Sequence, residues 1–568
     1  MKKEFDVVIC SLNSQYIHSS LAPWCLLAGL EQYVHDGINA VVIEGTINEA
    51  PRNILDRILF HRPTLVGFCC YIWNITEIFE LVKRIKQELC ECVIVLGGPE
   101  VSYQAGAVLQ NTPLVDYVIS GEGEKPFTEL LRAIHGSTDV GGIPGLCYRK
   151  GSEIIIAEPY TPDEVPPSPY TERYFAALNR RIAYLETSRG CPYSCAFCLS
   201  GRCGGVRYYD LERVKKELLL LAASGTQTVK LVDRTFNAHR SRAKELFSFI
   251  IKRYGKEIPQ GVCFHFEIAG DLLDEETIEL LGTAPAGAMQ FEIGLQSFNP
   301  KTLTAVSRRT DVKKLKQNIS ALLIKGNAHI HIDLIAGLPY ENMSRFKDSF
   351  NTAFSLRPHM LQLGFLKLLH GSPMRENPKQ FPCEYNQKPP YQVTKTPWLS
   401  EEELEQLHHT EHALNLLYNR GRFSRTLAYL LSRMNQSAFE LFSEFGLFLS
   451  QAGQNQKSLD DLTALVFSYY SGQSNVEPSR LRDCMVCDRL ATNASGRIPK
   501  ALQIHDPKLK SAIRALERKY GHKKGIKRGY ALLYSENCLA YTDYEDKNPV
   551  TGEYLISKYP FDVNNDKY

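Results

Sequence analysis

The sequence predicts an α/β protein in three parts: a doubly wound, Rossmann-like parallel sheet, a partial (β/α)6 barrel, and a mainly α-helical C-terminal domain. Three observations predict it. Short apolar β runs alternate with helical patterns twice along the chain, with a longer period the second time. A stretch carrying Pro159, Pro162, Pro166, Pro167 and Pro169 separates the two alternations. After Pro389-Pro390 the strand-like runs give way to helical periodicity. The 568 residues agree, being about three domains at roughly 100–200 residues each. The boundaries read as 1–140, a link over 141–176, 177–390 and 391–568.

In the first part, residues 6–11 form a buried-strand run and 21–33 an amphipathic helix. Residues 40–43, 65–69, 93–96 and 116–119 are further strands, with helices at 75–89 and 126–134. In such open sheets a ligand sits at the carboxyl ends of the strands. Those ends carry residues 11–20, 67–74, then Gly97-Gly98-Pro99-Glu100 and Gly121-Glu122-Gly123-Glu124. Any one is ordinary turn chemistry; four polar or glycine-rich ends in one small domain predict a ligand site. No G-x-G-x-x-G follows the first strand, so a dinucleotide pyrophosphate lacks the glycines it needs. In the second part the strands are 182–187, 228–232, 263–268, 288–293, 329–335 and 360–368, with chemistry expected at their C-terminal ends. In the third, 401–420, 425–433 and 438–451 read as helices.

Composition narrows the function classes. Lys+Arg number 66 and Asp+Glu 63, a formal charge of +3, which excludes both a polybasic protein and an acidic disordered one. No run approaches the ~18 apolar residues of a membrane span. At the N-terminus Asp6 precedes Val-Val-Ile-Cys, which reads as a strand and not a secretory signal. The expectation is a soluble, cytoplasmic protein without a membrane partner. Sixteen cysteines are too few for a disulfide scaffold in a chain this long. Their spacing is what carries information.

At the end of the first barrel strand stands Cys191-Pro192-Tyr193-Ser194-Cys195-Ala196-Phe197-Cys198. The Cys-x3-Cys-x2-Cys spacing places three thiolates on one tight loop, positioned to hold three irons of a cubane 4Fe–4S cluster. Three ligands leave the fourth iron open, as a catalytic metal requires. The competing reading is structural zinc, with Cys203 as a fourth thiolate; a zinc ribbon pairs two knuckles, whereas this loop opens a strand–helix unit.

The loop, with the aromatic Phe197 before its third cysteine, resembles the signature of the radical S-adenosylmethionine (SAM) superfamily. The resemblance implies that the reduced cluster cleaves SAM to methionine and a 5′-deoxyadenosyl radical. Further segments match the superfamily in order: residues 230–237, Phe266-Glu267-Ile268, 291–297 with Arg308-Arg309 downstream, and 333–339. By resemblance, Phe197, Asp233, Glu267, Glu292, Gln296, Ser297, Arg308, Ile335, Gly337 and Pro339 bind SAM. Glu292, Gln296 and Ser297 would meet its methionine and ribose parts, and the 335–339 turn would cradle adenine.

A doubly wound domain ahead of such a barrel resembles the cobalamin-binding domain of B12-dependent radical SAM enzymes. That resemblance implies cobalamin contacts from Asn13, Ser14, Tyr16, His18, Ser19, Gly67, Tyr71, Gly97, Gly98, Pro99, Glu100, Gly121, Glu122, Gly123 and Glu124. Backbone at the glycines can approach a flat macrocycle closely. The B12 signature D-x-H-x-x-G is absent, since Tyr16 stands two residues before His18. His18 is therefore either a hydrogen-bonding loop residue or a cobalt ligand, and corrin is expected without a histidine below the cobalt. Residues 16–20, 70–74 and 363–373 look like the branch of these proteins that ends in a C-terminal domain of unassigned role.

The expected function is a B12-dependent radical SAM enzyme, methylating an unactivated carbon of a small-molecule substrate, with an electron donor such as flavodoxin or ferredoxin. The alternatives are a non-methylating radical rearrangement or oxidation, and radical modification of tRNA. A methylthiotransferase is disfavoured, because Cys10, Cys25, Cys69, Cys70, Cys90 and Cys92 include no second cluster trio at strand-end loops. A non-catalytic sensor is disfavoured by the open iron. Two weaker signals remain. Cys484-Met485-Val486-Cys487 is a lone C-x-x-C, expected to be ordinary thiols. Residues 500–528 hold ten Lys/Arg against Asp506 and Glu517, expected to be a solvated helical face in preference to an RNA contact.

Overall fold

The computed structural model describes residues 5–33, 37–453, 458–520 and 527–560. The first sheet has the order β2-β1-β3-β4-β5-β6-β7. Its parallel strands are β1 (Phe5–Asn13), β2 (Ile38–Thr46), β3 (Leu65–Cys69), β4 (Val93–Gly97) and β5 (Tyr117–Ile119). Both faces of β1 are covered, which is why it reads as a continuous apolar run. Its residues alternate between two cores: Val7 and Ile9 join the barrel's core, while Val8, Cys10 and Leu12 pack under helices 51–60 and 75–88 on the other face. The sheet thus presses one face, with helices Ala22–Tyr33 and Glu124–Gly136, toward the second domain.

The sheet continues into the segment expected to be a link. β6 (Leu146–Lys150) pairs antiparallel with β5, and β7 (Glu153–Ile155) with β6. The turn between them passes through Gly151 at φ 63°. A three-residue strand is below what periodicity resolves, so the hairpin reads as linker. Helices Pro51–Phe60 and Ala105–Asn111 complete the crossovers and were not anticipated.

The second domain carries six parallel strands in sequential order: β8 (Ala183–Leu185), β11 (Thr228–Leu231), β12 (Cys263–Ile268), β13 (Met289–Gln296), β14 (His329–Ala336) and β15 (Met360–Phe365). The sheet is open, β8 and β15 being its edges. Phe236, Phe247, Phe266 and Phe291 stack in its core at centroid distances of 4.7–5.9 Å. The first strand ends earlier than expected, because Thr187 turns away to donate its N–H to Asp233. Beyond it, β9 (Ser188–Gly190) and β10 (Val206–Tyr208) form a small antiparallel hairpin that brackets the cysteine loop. Gly190 is required there: its φ is 97° and a Cβ would lie 1.9 Å from the Gly205 carbonyl oxygen.

The last part is helical up to Thr492, beginning with Glu401–Leu414, whose Ser400 and Glu403 form a capping box. It ends differently from the expectation. β18 (Arg528–Leu533), β19 (Cys538–Asp543) and β20 (Ser557–Pro560) make an antiparallel sheet against the amphipathic helix Lys508–Tyr520. That helix buries Ala512 and Leu516 and exposes Lys508, Lys510, Arg514, Arg518 and Lys519. The basic run is thus a solvated face over most of its length; Lys523 and Lys524 lie outside the described residues. Cys484 and Cys487 sit one turn apart on helix Pro478–Thr492, not on a knuckle, and burial lifts their thiols to about 11 and about 12.

Candidate functional site

The three cysteines converge on one cavity of about 190 Å³ at the C-terminal ends of the barrel strands. Local bonds shape their loop. The Cys198 N–H donates to the Cys195 carbonyl at 3.0 Å, and the Ala196 N–H to the Val306 carbonyl at 2.9 Å. The Ser200 N–H points at Cys198 Sγ at 3.4 Å, and Thr235 Oγ1 lies 3.5 Å from Cys191 Sγ. Arg308 Nη1 stands 3.8 Å from Cys195 Sγ. Burial lifts the Cys195 thiol above its ordinary value, and the Arg308 charge opposes that lift. Phe197, Glu267, Glu292, Gln296 and Arg308 line the same cavity. Tyr193, Arg234, Asp271, Arg309 and Asp333 line it too and were not predicted.

The residues fit a cluster with a zwitterionic ligand. Three thiols, guanidinium groups and carboxylates share one small cavity. Buried Gln296 Oε1 and Arg308 Nε have no hydrogen-bond partner among the described residues. Cys203 offers no test of the zinc alternative, since its side chain lies outside the described residues.

Inside the barrel the strand-borne charges are interlocked. Lys230 Nζ lies 3.1 Å from Glu292 and 3.4 Å from Glu267, and His265 Nε2 is 2.9 Å from Glu292. Burial disfavours the Glu292 charge, but the His265 hydrogen bond and the Lys230 and His331 charges outweigh it and hold the carboxyl at about 2. Glu267 goes the other way: burial pushes it up against the pull of Lys230. Glu292, His331 and Asp333 bring ligand-type atoms within 4.8 Å of one another, with His331 and Asp333 paired at 2.9 Å.

Five residues expected at SAM stand elsewhere. Asp233 is buried and accepts from the Thr187 N–H at 3.0 Å, Thr187 Oγ1 at 2.7 Å and Ser188 Oγ, so it fastens the first strand end beside the cysteine loop. Burial lifts its carboxyl to about 6. Ser297 Oγ donates to buried Glu341 at 2.5 Å. Ile335 packs against the core, Gly337 turns at φ 93° under Val393, and the Pro339 carbonyl accepts from Thr302 Oγ1 at 2.8 Å. None of the five lines the thiol cavity.

A second cavity, about 600 Å³, lies between the strand ends of the first domain and the barrel. Asn13, Ser14, His18, Ser19, Gly67, Tyr71, Gly97, Gly98, Pro99, Gly121, Glu122, Gly123 and Glu124 line it. Tyr16 and Glu100 do not. Tyr16 is 66% exposed with its hydroxyl accepting from Asn179, and buried Glu100 accepts from the Tyr391 hydroxyl. At two of these glycines the protein itself leaves no room for a Cβ: on Gly98 it would meet the Cys70 carbonyl at 2.5 Å, and on Gly121 the Tyr160 carbonyl at 2.3 Å. His18 Nδ1 is engaged by the Tyr184 hydroxyl at 2.7 Å at the domain junction, and burial lowers its proton affinity. Tyr71 and Trp73 stack at 4.4 Å, and Trp73 Nε1 donates to the Leu12 carbonyl at 3.0 Å. The volume, the flat aromatic wall and the glycine-rich strand ends fit a planar macrocycle.

The barrel side of this cavity was invisible in the sequence. Arg189, two residues before Cys191, reaches Glu122 at 2.5 Å, Glu124 at 2.6 Å and Glu186 at 2.9 Å. Arg207 joins Glu122 at 2.6 Å, and the Tyr209 hydroxyl donates to Glu186 at 2.6 Å. Burial disfavours the Glu124 charge, but Arg189 holds its carboxyl below the ordinary range. Arg234 and Glu267 line both cavities and so form their common wall.

Comparison with known proteins agrees with this layout. Residues 8–131 match the B12 binding domain, 185–353 the radical SAM superfamily, and 379–546 a protein of unknown function family, DUF4080. The chain is 27% identical over 329 residues to a 2-(S-pantetheinyl)-carbapenam-3-carboxylate methyltransferase of Streptantibioticus cattleyicolor, covering 52% of this chain and 46% of that one. It is 27% identical over 338 residues to the cobalamin-dependent radical SAM methyltransferase TokK of Streptomyces tokunonensis (54% and 47%). It is 23% identical over 361 residues to an anaerobic magnesium-protoporphyrin IX monomethyl ester cyclase of Rubrivivax gelatinosus (60% and 63%). The chain thus spans about half the length of the first two relatives. Among solved structures, the cobalamin-dependent SAM radical enzyme OxsB, with aqua-cobalamin and SAM bound, superposes with a TM-score of 0.59 at 15% identity, over 91% of this chain and 81% of that one. The methyltransferase TsrM from Kitasatospora setae gives 0.54 at 21%, over 65% and 74%. These two likenesses show the fold. With the cysteine loop at the barrel mouth and the three matches in this order, the chain carries a B12 binding domain, a radical SAM domain and a DUF4080 domain, the first two in the order found in its cobalamin-dependent radical SAM relatives.

Proposed function

We propose that the chain is a cobalamin-dependent radical SAM enzyme that methylates an unactivated carbon of a small-molecule substrate. The observation that carries the reading is the common wall: a thiol-lined cavity and a macrocycle-sized cavity meet at Arg234 and Glu267, so one substrate can reach both. Cys191, Cys195 and Cys198 would hold the 4Fe–4S cluster, Phe197, Glu267, Glu292, Gln296 and Arg308 would bind SAM, and the first domain's strand ends would hold cobalamin. Bound there, these groups supply reductive SAM cleavage to a 5′-deoxyadenosyl radical and a transferable methyl group.

The protein's own contribution is placement and charge. Arg308, beside Cys195, offsets the negative charge of three thiolates. Glu292, held ionised by His265 and Lys230, offers an acceptor to an ammonium or to ribose hydroxyls. The Arg189 network joins the cysteine loop to the loop of Glu122 and Glu124, which sets the distance between the two cavities. A reductant is needed, and a flavodoxin- or ferredoxin-type donor fits that role. Among the described residues no helix is long and apolar enough to cross a membrane.

The test is anaerobic turnover of the reconstituted protein with methyl-labelled SAM, reductant and a small-molecule cell extract. A labelled methylated product supports the reading. Release of 5′-deoxyadenosine with a changed but unlabelled product replaces methylation by rearrangement or oxidation, for which the cyclase relative gives precedent.

A further inference from the structure

We propose that Arg234 is the anchor for an anionic group, a carboxylate or a phosphate, on the substrate. The inference rests on the functional reading above and names the substrate class that it leaves open. A substrate carbon that meets both cofactors must lie where the cavities meet, and among the described residues only Arg234 and Glu267 line both. The other cations near this junction are already committed. Lys230 is held between Glu267 and Glu292, and Arg189 among three carboxylates. Arg308 donates to the Gly294 carbonyl and stands against Cys195.

Arg234 is different. Its side chain is exposed and makes no ion pair or hydrogen bond among the described residues. Its backbone stands beside the cysteine loop: its carbonyl accepts from Thr235 Oγ1 at 2.8 Å, and the same hydroxyl lies 3.5 Å from Cys191 Sγ. Arg309 is also unpaired, but it lines the thiol cavity alone, where with Arg308 it can serve the carboxylate of SAM itself. That leaves Arg234 for the substrate. A guanidinium fork at a partly enclosed wall matches carboxylate and phosphate bidentately. Glu267 beside it keeps the wall from being uniformly cationic, which selects a molecule with one anionic group over a polyanion such as RNA.

The experiment is arginine footprinting of the wild-type chain loaded with cluster, cobalamin and SAM, without reductant. Phenylglyoxal adducts are mapped by peptide mass, with glutarate or inorganic phosphate added and potassium chloride matching the ionic strength. SAM is expected to protect Arg308 and Arg309 and leave Arg234 reactive. A probe at ten times a dissociation constant of about 1 mM should cut the Arg234 adduct roughly tenfold, and the stronger of the two arms identifies the group. Equal Arg234 modification with chloride and with both probes overturns the proposal, as does full protection of Arg234 by SAM alone. Iron content and cobalamin absorbance of the same sample report separately on the underlying reading. If both cofactors fail to bind, that reading falls; if both bind and Arg234 stays unprotected, this inference alone falls.

Discussion

Replacing Arg189 by Gln removes the cation that three carboxylates share across the two domains. Its side chain is only 17% exposed, and those of Glu122, Glu124 and Glu186 are 17%, 11% and 18% exposed. Two of the three keep another partner, Glu122 through Arg207 and Glu186 through the Tyr209 hydroxyl. Glu124 keeps none of comparable strength, so the loss falls on it. Stranding one buried charge in this way costs about 3–5 kcal/mol. If most of that is spent in opening the domain junction, cobalamin affinity falls by about 100-fold or more, at about 1.4 kcal/mol per factor of ten.

The pH dependence makes the argument refutable. In the wild type Arg189 holds the Glu124 carboxyl below its ordinary value, so the pair stabilises the fold above the ordinary carboxylate range and loses that contribution as pH falls through the lowered value. In Arg189→Gln burial acts unopposed, the carboxyl rises, and protonation relieves the stranded charge. The variant's deficit should therefore be large at pH 8 and shrink toward pH 5. Pulse proteolysis and cobalamin retention on gel filtration, at both pH values, measure it. A deficit that is constant with pH, or that grows as pH falls, refutes the assignment.

Other outcomes follow from single sites. Glu341 is fully buried, takes two hydroxyl bonds on one oxygen and has none on the other, and burial lifts its carboxyl from 4.5 to about 7. Its neutral form is thus the favoured one, so stability present at pH 5 is lost as pH rises through 7; Glu341→Gln should be near neutral at pH 5 and more stable by about 3 kcal/mol at pH 8, read as the difference in unfolding against pH. Cys195→Ala should abolish the cluster's EPR signal while cobalamin absorbance persists, and equal iron in variant and wild type would overturn the ligand assignment. Gly121→Ala, at φ 89° with its Cβ 2.3 Å from the Tyr160 carbonyl, should cost about 2–4 kcal/mol of stability by thermal unfolding. Gly97→Ala has no atom within 3.8 Å, so its melting temperature should be unchanged, and a loss of cobalamin retention there would report contact with the ligand itself.

What was legible in the sequence, and what was not, divides by contact range. The strand at 65–69 and the strand at 263–268 were readable to the residue, since each is an apolar β run bounded by turn chemistry. The cysteine loop was readable because its three cysteines lie within eight residues. β6 and β7 were not, because β6 ends in Arg149-Lys150 and is no continuous apolar run while β7 has only three residues, and β18 to β20 were hidden behind a basic helical run. Strand-end position alone does not say which way a side chain turns. Asp233 and Ser297 stand where SAM contacts were expected, yet each turns inward to a buried polar partner, because an uncovered carboxylate or N–H at a strand end is satisfied first by the protein itself.

The residues that join the two cavities come from contacts far apart in sequence. Arg189 meets Glu122 and Glu124 across 67 and 65 positions, and Arg181 meets Glu44 across 137. No local pattern marks such pairs, because an arginine beside a glutamate in sequence and one beside it in space look the same until the domains dock. Yet these pairs determine the function that the motifs only permit. A cysteine loop and a glycine-rich sheet on separate supports would hold two cofactors with no set distance between them. Arg189 belongs to the hairpin that carries the cysteines and Glu122 to a strand end of the cobalamin-type domain, so one guanidinium ties the two sites together. The wall left between them is made of one paired carboxylate, Glu267, and one cation without an ion pair among the described residues, Arg234, and chemistry specific to this chain is to be sought there.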